Sequence, residues 1–157
     1  MSLDATIAVS EEARASFQLR ELRASVSVLE DVATSPELSP DIRIYRGASE
    51  TIRVTVVDAD GEREDLTGAT VYFCVKEDID DTAAVIELES PTNITILSQL
   101  VAASKGRADI ELEAAHTSAL DPGDYLYDIW VELASEKRYA VMPPAMFVIA
   151  EPVTDLA

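Results

Sequence analysis

The stretch from Asp121 to Leu133, Asp-Pro-Gly-Asp-Tyr-Leu-Tyr-Asp-Ile-Trp-Val-Glu-Leu, restricts the fold more than any other part of the chain. Pro122 presets its own φ and Gly123 accepts a positive φ, so the chain turns sharply there. Tyr125, Tyr127, Ile129 and Val131 then fall on one face, and Leu126, Asp128 and Trp130 on the other. A period of two over this length describes a strand with one buried face, and that face needs a second layer to cover it.

With 157 residues, the chain has room for one such core and a few tens of residues more. From Asp41 onward the same texture repeats, as short apolar alternations between turn residues. Ile42 and Ile44 start it, and Thr51 to Val57 follows with Ile52, Val54 and Val56 on one face. Asp58-Ala59-Asp60-Gly61 is a turn, after which Val71, Phe73 and Val75 alternate with Tyr72 and Cys74. Ala84 to Leu88 has the pattern of a short edge strand, Ile94 and Ile96 point inward, and Ala108, Ile110 and Leu112 make another core set. Ala114 to Leu120 is expected to form about one helical turn leading into the Pro-Gly corner. Tyr139 to Met142 and Ala145 to Ile149 complete the set. Pro143-Pro144 between them lacks two amide donors and belongs at an edge or a bulge. The expectation is a mainly β, antiparallel sandwich of about seven to nine strands over residues 41–150, with a loose tail at 151–157.

Residues 1–40 differ in kind, with no glycine and no proline before Pro36. Ser10 suits a helix N-cap ahead of Glu11 and Glu12. Ala15, Leu19, Leu22, Val26 and Leu29 recur at spacings of four, three, four and three, a seam of about two heptads. This helix packs on its own domain, or the helix or an extended arm from Met1 to Val9 reaches a neighbouring subunit. Ser25-Val26-Ser27-Val28 alternates like a strand and would end the helix near Ala24. Ser35-Pro36 and Ser39-Pro40 mark a linker.

Composition limits the partners. Twelve basic residues against 30 acidic ones give a formal net charge of −18, which repels nucleic acid and anionic membranes. Such a surface is simply solvated, or it steers a basic partner. Cys74 is the only cysteine, so no internal disulfide forms, and no Cys/His cluster has zinc spacing. No basic N-terminal region precedes an apolar core, and no apolar run nears the roughly 18 residues of a membrane span, so synthesis and retention in the cytoplasm are expected.

Catalytic chemistry finds little to stand on. His116 is the single histidine and no Gly-x-Ser-x-Gly occurs, so it is expected at the surface of the crossing turn. Asp58, Asp60 and Gly61 begin like a calcium loop but lack the later ligands, and a turn explains them. Asp78, Asp80 and Asp81 suit a solvated loop. No glycine-rich phosphate loop follows a strand. No enzyme, cofactor or metal site is expected.

Several landmarks occur in order: Asp65-Leu66-Thr67-Gly68-Ala69 before a strand, Asn93-Ile94-Thr95-Ile96, the Gly106 turn, and Leu120 to Asp128. Leu120 followed by Asp-Pro-Gly-Asp-Tyr resembles the tyrosine corner of immunoglobulin-like sandwiches, in which a Tyr hydroxyl reaches back to main chain a few residues upstream. Together the landmarks resemble the immunoglobulin-like β-sandwich modules of tailed-phage structural proteins, such as the N-terminal domain of upper baseplate proteins, over about Ile42 to Ile149. Residues before Asp41 and Pro143-Pro144 depart from that pattern. The resemblance implies a virion component of tail, baseplate or head, assembled in the host cytoplasm. It would act by contact with other virion proteins, as a homo-oligomer, and carry no catalytic residues. Contact residues are expected at Phe17, Leu19, Leu22 and Val26 on the N-terminal stripe and at Leu126 and Trp130 on the outer strand face. The alternative is a carbohydrate- or receptor-binding module, with Tyr72, Trp130 and acidic loop residues as its platform.

Overall fold

The computed structural model describes residues 23–29 and 41–154. Among these residues the chain is mainly β, with nine strands and one short helix. The strands are β1 (Arg23–Leu29), β2 (Ile42–Tyr45), β3 (Glu50–Val57), β4 (Thr70–Lys76), β5 (Ile86–Glu89), β6 (Ile94–Ile96), β7 (Arg107–Leu112), β8 (Gly123–Glu132) and β9 (Arg138–Ala150), with α1 (Ala114–Thr117) before β8. They form a four-stranded sheet in the order β1-β3-β7-β6 and a five-stranded sheet in the order β2-β9-β8-β4-β5.

Alternation in the sequence becomes alternation in burial. In β3, Ile52, Val54 and Val56 are buried between half-buried neighbours, and β4, β7 and β8 repeat the pattern. Alternate side chains of β2, β3, β4, β5, β7 and β8 therefore enter one core shared by both sheets. Its largest fully buried members, Phe73, Tyr127 and Phe147, come from three adjacent strands of the five-stranded sheet. Their ring centroids lie 5.6 to 6.3 Å apart, tilted or edge-on as ring quadrupoles favour.

Two features of the five-stranded sheet shape its outer surface. β2 runs parallel to β9 and pairs only with Phe147–Ala150, so it leaves the first part of β9 to β8 alone among the described residues. There, between the pairs Tyr127–Ala145 and Ile129–Met142, Pro143 and Pro144 stand opposite the single residue Asp128. The two prolines thus sit at a bulge on a stretch with one partner strand, where their missing N–H groups cost no ladder bond. The two short strands expected here are one strand with an irregularity.

The loops are tied down by side chains. The Tyr125 hydroxyl donates to the Asp121 carbonyl oxygen at 2.7 Å, the backward reach expected of the corner. Gln99 Oε1 accepts from the main chain of Leu66 at 2.8 Å and of Gly106 at 2.9 Å, joining two loops at one end of the sheets. The fully buried Thr117 accepts the Gly47 N–H on Oγ1 at 2.9 Å, which ties α1 to the turn after β2.

The N-terminal stripe is corrected in part. Val26 and Leu29, placed on a helical seam by their spacing, lie in β1, where Val26 pairs with Val54 and Leu29 with Thr51. Ser25 to Val28 follows its period of two because β3 presents an edge ready to pair, and a seam of two heptads cannot compete with seven ladder positions. The sheet thus begins ahead of Asp41. Ala15, Phe17, Leu19 and Leu22 lie outside the described residues.

Candidate interaction surface

The outer face of the five-stranded sheet is where the sequence placed Leu126 and Trp130, and the strand register brings further residues beside them. One row joins Met146 of β9, Leu126 of β8 and Lys76 of β4. The next joins Asp128, Cys74 and Glu87, and a third joins Ala140, Trp130, Tyr72 and Glu89. Trp130 is 41% exposed and Met146 37%, whereas Leu126 is half-buried. The Trp130 indole N–H donates to Asp128 Oδ2 at 3.1 Å, so its ring is held along the face.

Beside Leu126, the bulge at Pro144 and the loop after β4 leave a depression of about 80 Å³ lined by Cys74, Lys76, Ile79, Leu126, Tyr127, Asp128 and Pro144. That volume is well below the roughly 300 to 1,000 Å³ of small-molecule sites and is on the scale of one amino-acid side chain. Ile79 forms one wall and is 60% exposed. It is presented by a tight acidic loop, in which the Asp78 N–H donates to Asp81 Oδ2 at 3.0 Å and the Asp80 N–H to Asp78 Oδ1 at 3.0 Å. Asp78, Asp80 and Asp81 are therefore organised by their own turn.

Around the depression the charges are mostly acidic, although the same sheet face also carries Arg43 and Arg138. Asp128 lines the depression, Glu87 lies two strands away in the same row, and the loop adds Glu77, Asp78, Asp80 and Asp81. The cation of the depression, Lys76, turns its Nζ to the Asp81 carbonyl oxygen at 2.7 Å. Burial pushes the Cys74 thiol above its ordinary range, and the charges of Asp128 and Glu87 push the same way. Cys74 is thus a half-buried, protonated thiol, poorly suited to act as a nucleophile.

The remaining residues singled out by the sequence fall elsewhere. His116 lies in α1, and its Nδ1 accepts the Glu113 N–H at 2.9 Å, closing the turn before the helix. Asp58 Oδ1 accepts the N–H groups of Asp60 at 2.9 Å and Glu62 at 3.0 Å, so this carboxylate shapes the turn. Among the described residues no group of three or more His, Cys, Asp or Glu is placed to hold a metal ion, and no helix is long and apolar enough to cross a membrane. On the four-stranded sheet, Arg53 meets Asp109 through two bonds of 2.8 and 2.9 Å, which raises the guanidinium pKa further.

Ile79, Pro144 and Met146 were not anticipated as surface contributors. Ile79 carried a signal, an isolated branched apolar residue between Asp78 and Asp80. Pro144 was expected at an edge or bulge, but nothing in the sequence placed it or Met146 beside Leu126. The chain matches no protein-family model and no curated protein.

Proposed function

We propose that the protein is a non-enzymatic structural component of a tailed-phage virion that works by holding neighbouring proteins in a repeated assembly. The observation that carries the contact role is the group of apolar side chains, Ile79, Leu126, Trp130 and Met146, left open on one face of a strongly acidic chain. Single exposed apolar residues such as Leu100 and Val153 occur elsewhere and are ordinary, but several gathered on one sheet face are a common mark of a surface that another protein covers.

The fold we propose is an immunoglobulin-like sandwich. Three features support that reading: the division of strands as β1-β3-β7-β6 against β2-β9-β8-β4-β5, the Tyr125 corner bond to Asp121, and the Phe73 and Tyr127 pair at the centre. The assignment to a virion, assembled in the host cytoplasm, draws on the ordered turn motifs described above. In this reading the N-terminal residues Phe17, Leu19 and Leu22 add a second contact, and the chain forms a homo-oligomer within the particle.

Chemical cross-linking with mass spectrometry on purified particles, paired with sedimentation of the isolated chain, tests the proposal. Cross-links from Lys76 to other particle proteins, and loss of incorporation in Leu126→Lys or Leu19→Asp, are expected. A chain absent from particles, with both variants indistinguishable from the parent, would end it. A second reading, a carbohydrate platform, is favoured by one observation: Tyr72 and Trp130 are direct cross-strand neighbours. A glycan array without hits would dispose of that alternative.

A further inference from the structure

We propose that the depression between Ile79, Leu126 and Pro144 receives a single apolar side chain from a partner protein segment rich in lysine or arginine. The inference rests on the contact role proposed above and names the chemistry of the partner. Three observations carry it.

The first is size. A depression of about 80 Å³ with Ile79, Leu126 and Pro144 in its walls is on the scale of one inserted side chain and well below the roughly 300 to 1,000 Å³ of small-molecule sites. Burial of that side chain against these three residues would remove apolar surface from water on both partners. The second is charge. Asp128 sits in the wall, Glu77, Asp78, Asp80 and Asp81 lie on the loop that carries Ile79, and Glu87 shares the row of Asp128 and Cys74. Lys76 is the cation among them, and its ammonium is turned to a carbonyl of the same loop. A partner carrying positive charge beside its apolar anchor meets carboxylates around the depression itself; Arg43 and Arg138 lie on the same face but do not line it. The third is the whole chain. At −18, a second copy bringing the same acidic face is repelled, whereas a basic segment is drawn in from a distance comparable to the screening length.

The three together separate this surface from a generic apolar patch. The apolar part supplies affinity only after contact, and the carboxylates select the sign of what arrives. Trp130, the single tryptophan of the chain, stands on the same face and reports on occupancy without a label.

The test uses the full chain and a short synthetic peptide with one central leucine flanked by lysines. Two control peptides carry glutamates for the lysines or serine for the leucine. Binding is followed by Trp130 fluorescence and by amide chemical shifts. Saturable binding of the lysine peptide is expected, with shifts centred on Ile79, Leu126 and Asp128. Both control peptides should bind at least about tenfold more weakly, and affinity should fall by about tenfold or more between about 0.01 M and 1 M salt, as the screening length shrinks from roughly 30 to 3 Å. Ile79→Ser changes an exposed loop side chain and should weaken binding about tenfold without altering thermal unfolding; Asp80→Asn is a second variant should the first be misfolded. Absence of saturable binding, equal binding of the glutamate peptide, or an unchanged affinity in both variants would overturn the inference. Sedimentation of the unliganded chain separates the two levels. Self-association abolished by Ile79→Ser overturns the basic partner and keeps the contact role, whereas a monomer that binds no peptide and is missing from particles removes both.

Discussion

Replacing Gly106 by alanine should destabilise the protein by about 1 to 5 kcal/mol, and the structure supplies its own control. Gly106 is buried and has φ +77°, and a Cβ there would meet the Val56 carbonyl oxygen at 2.9 Å, the Arg63 Cβ at 3.1 Å and the Glu64 carbonyl oxygen at 3.1 Å. The main chain cannot retreat easily, because the Val56 N–H donates to the Gly106 carbonyl at 2.7 Å and the Gly106 N–H donates to Gln99 Oε1 at 2.9 Å. Gly61 has nearly the same φ, +85°, with nothing within 4 Å of its Cβ position. Both substitutions carry the left-handed cost of roughly 1 to 2 kcal/mol, offset by about 0.4 to 1 kcal/mol from the stiffer unfolded chain. Only Gly106→Ala adds the overpacking cost, about 1 to 3 kcal/mol. Urea unfolding measures the difference. With a slope of about 1 to 3 kcal/mol per molar, the Gly106→Ala midpoint should fall below that of Gly61→Ala by roughly 1 M. Equal midpoints would show that the β3 end does not crowd the Gly106 turn.

Other consequences are open to direct measurement. Tyr125→Phe removes the hydroxyl bond to Asp121 and should lower stability by about 0.5 to 1.5 kcal/mol in the same urea assay, toward the low end because Asp121 is exposed and its carbonyl can take water instead. The Tyr127 hydroxyl is held well above the ordinary tyrosine range, first by burial and then by the charge of Asp41. A raised folded pKa means its contribution is complete below the unfolded value of about 10 and is lost as pH rises through the folded value. In alkaline titration its phenolate absorbance should therefore appear only together with loss of the β circular-dichroism signal. The Cys74 thiol, pushed up by burial, Asp128 and Glu87, should be alkylated more slowly than a free cysteine at pH about 8, and the difference should vanish in urea. An equal rate in folded and unfolded protein would contradict the half-buried placement.

The body of the fold was legible because a sheet with one wet face writes itself into sequence as a period of two. Tyr125, Tyr127, Ile129 and Val131 are all buried, and Ile52, Val54 and Val56 behave alike. Punctuation was equally readable, since Pro143-Pro144 can occupy few places in a sheet and takes one of them. The N-terminal region was ambiguous for a physical reason. Val26 and Leu29 satisfy both a seam and a ladder, and only the open edge of β3 decides between them. The corner bond of Tyr125 was expected from the resemblance of Leu120 to Tyr125 to a tyrosine corner and spans four residues, whereas the tie from Thr117 to Gly47 spans 70 residues and had no local trace.

The surface divides in the same way. That Leu126 and Trp130 share the face opposite the core tyrosines was determined by their order in the chain, because side chains on a strand alternate whatever its neighbours. That Ile79 and Pro144 join Leu126 in a depression was decided by the tertiary structure. A bulge in one strand and the loop beyond another must meet across β8 before such a hollow exists, and the register that brings them together is a property of paired strands.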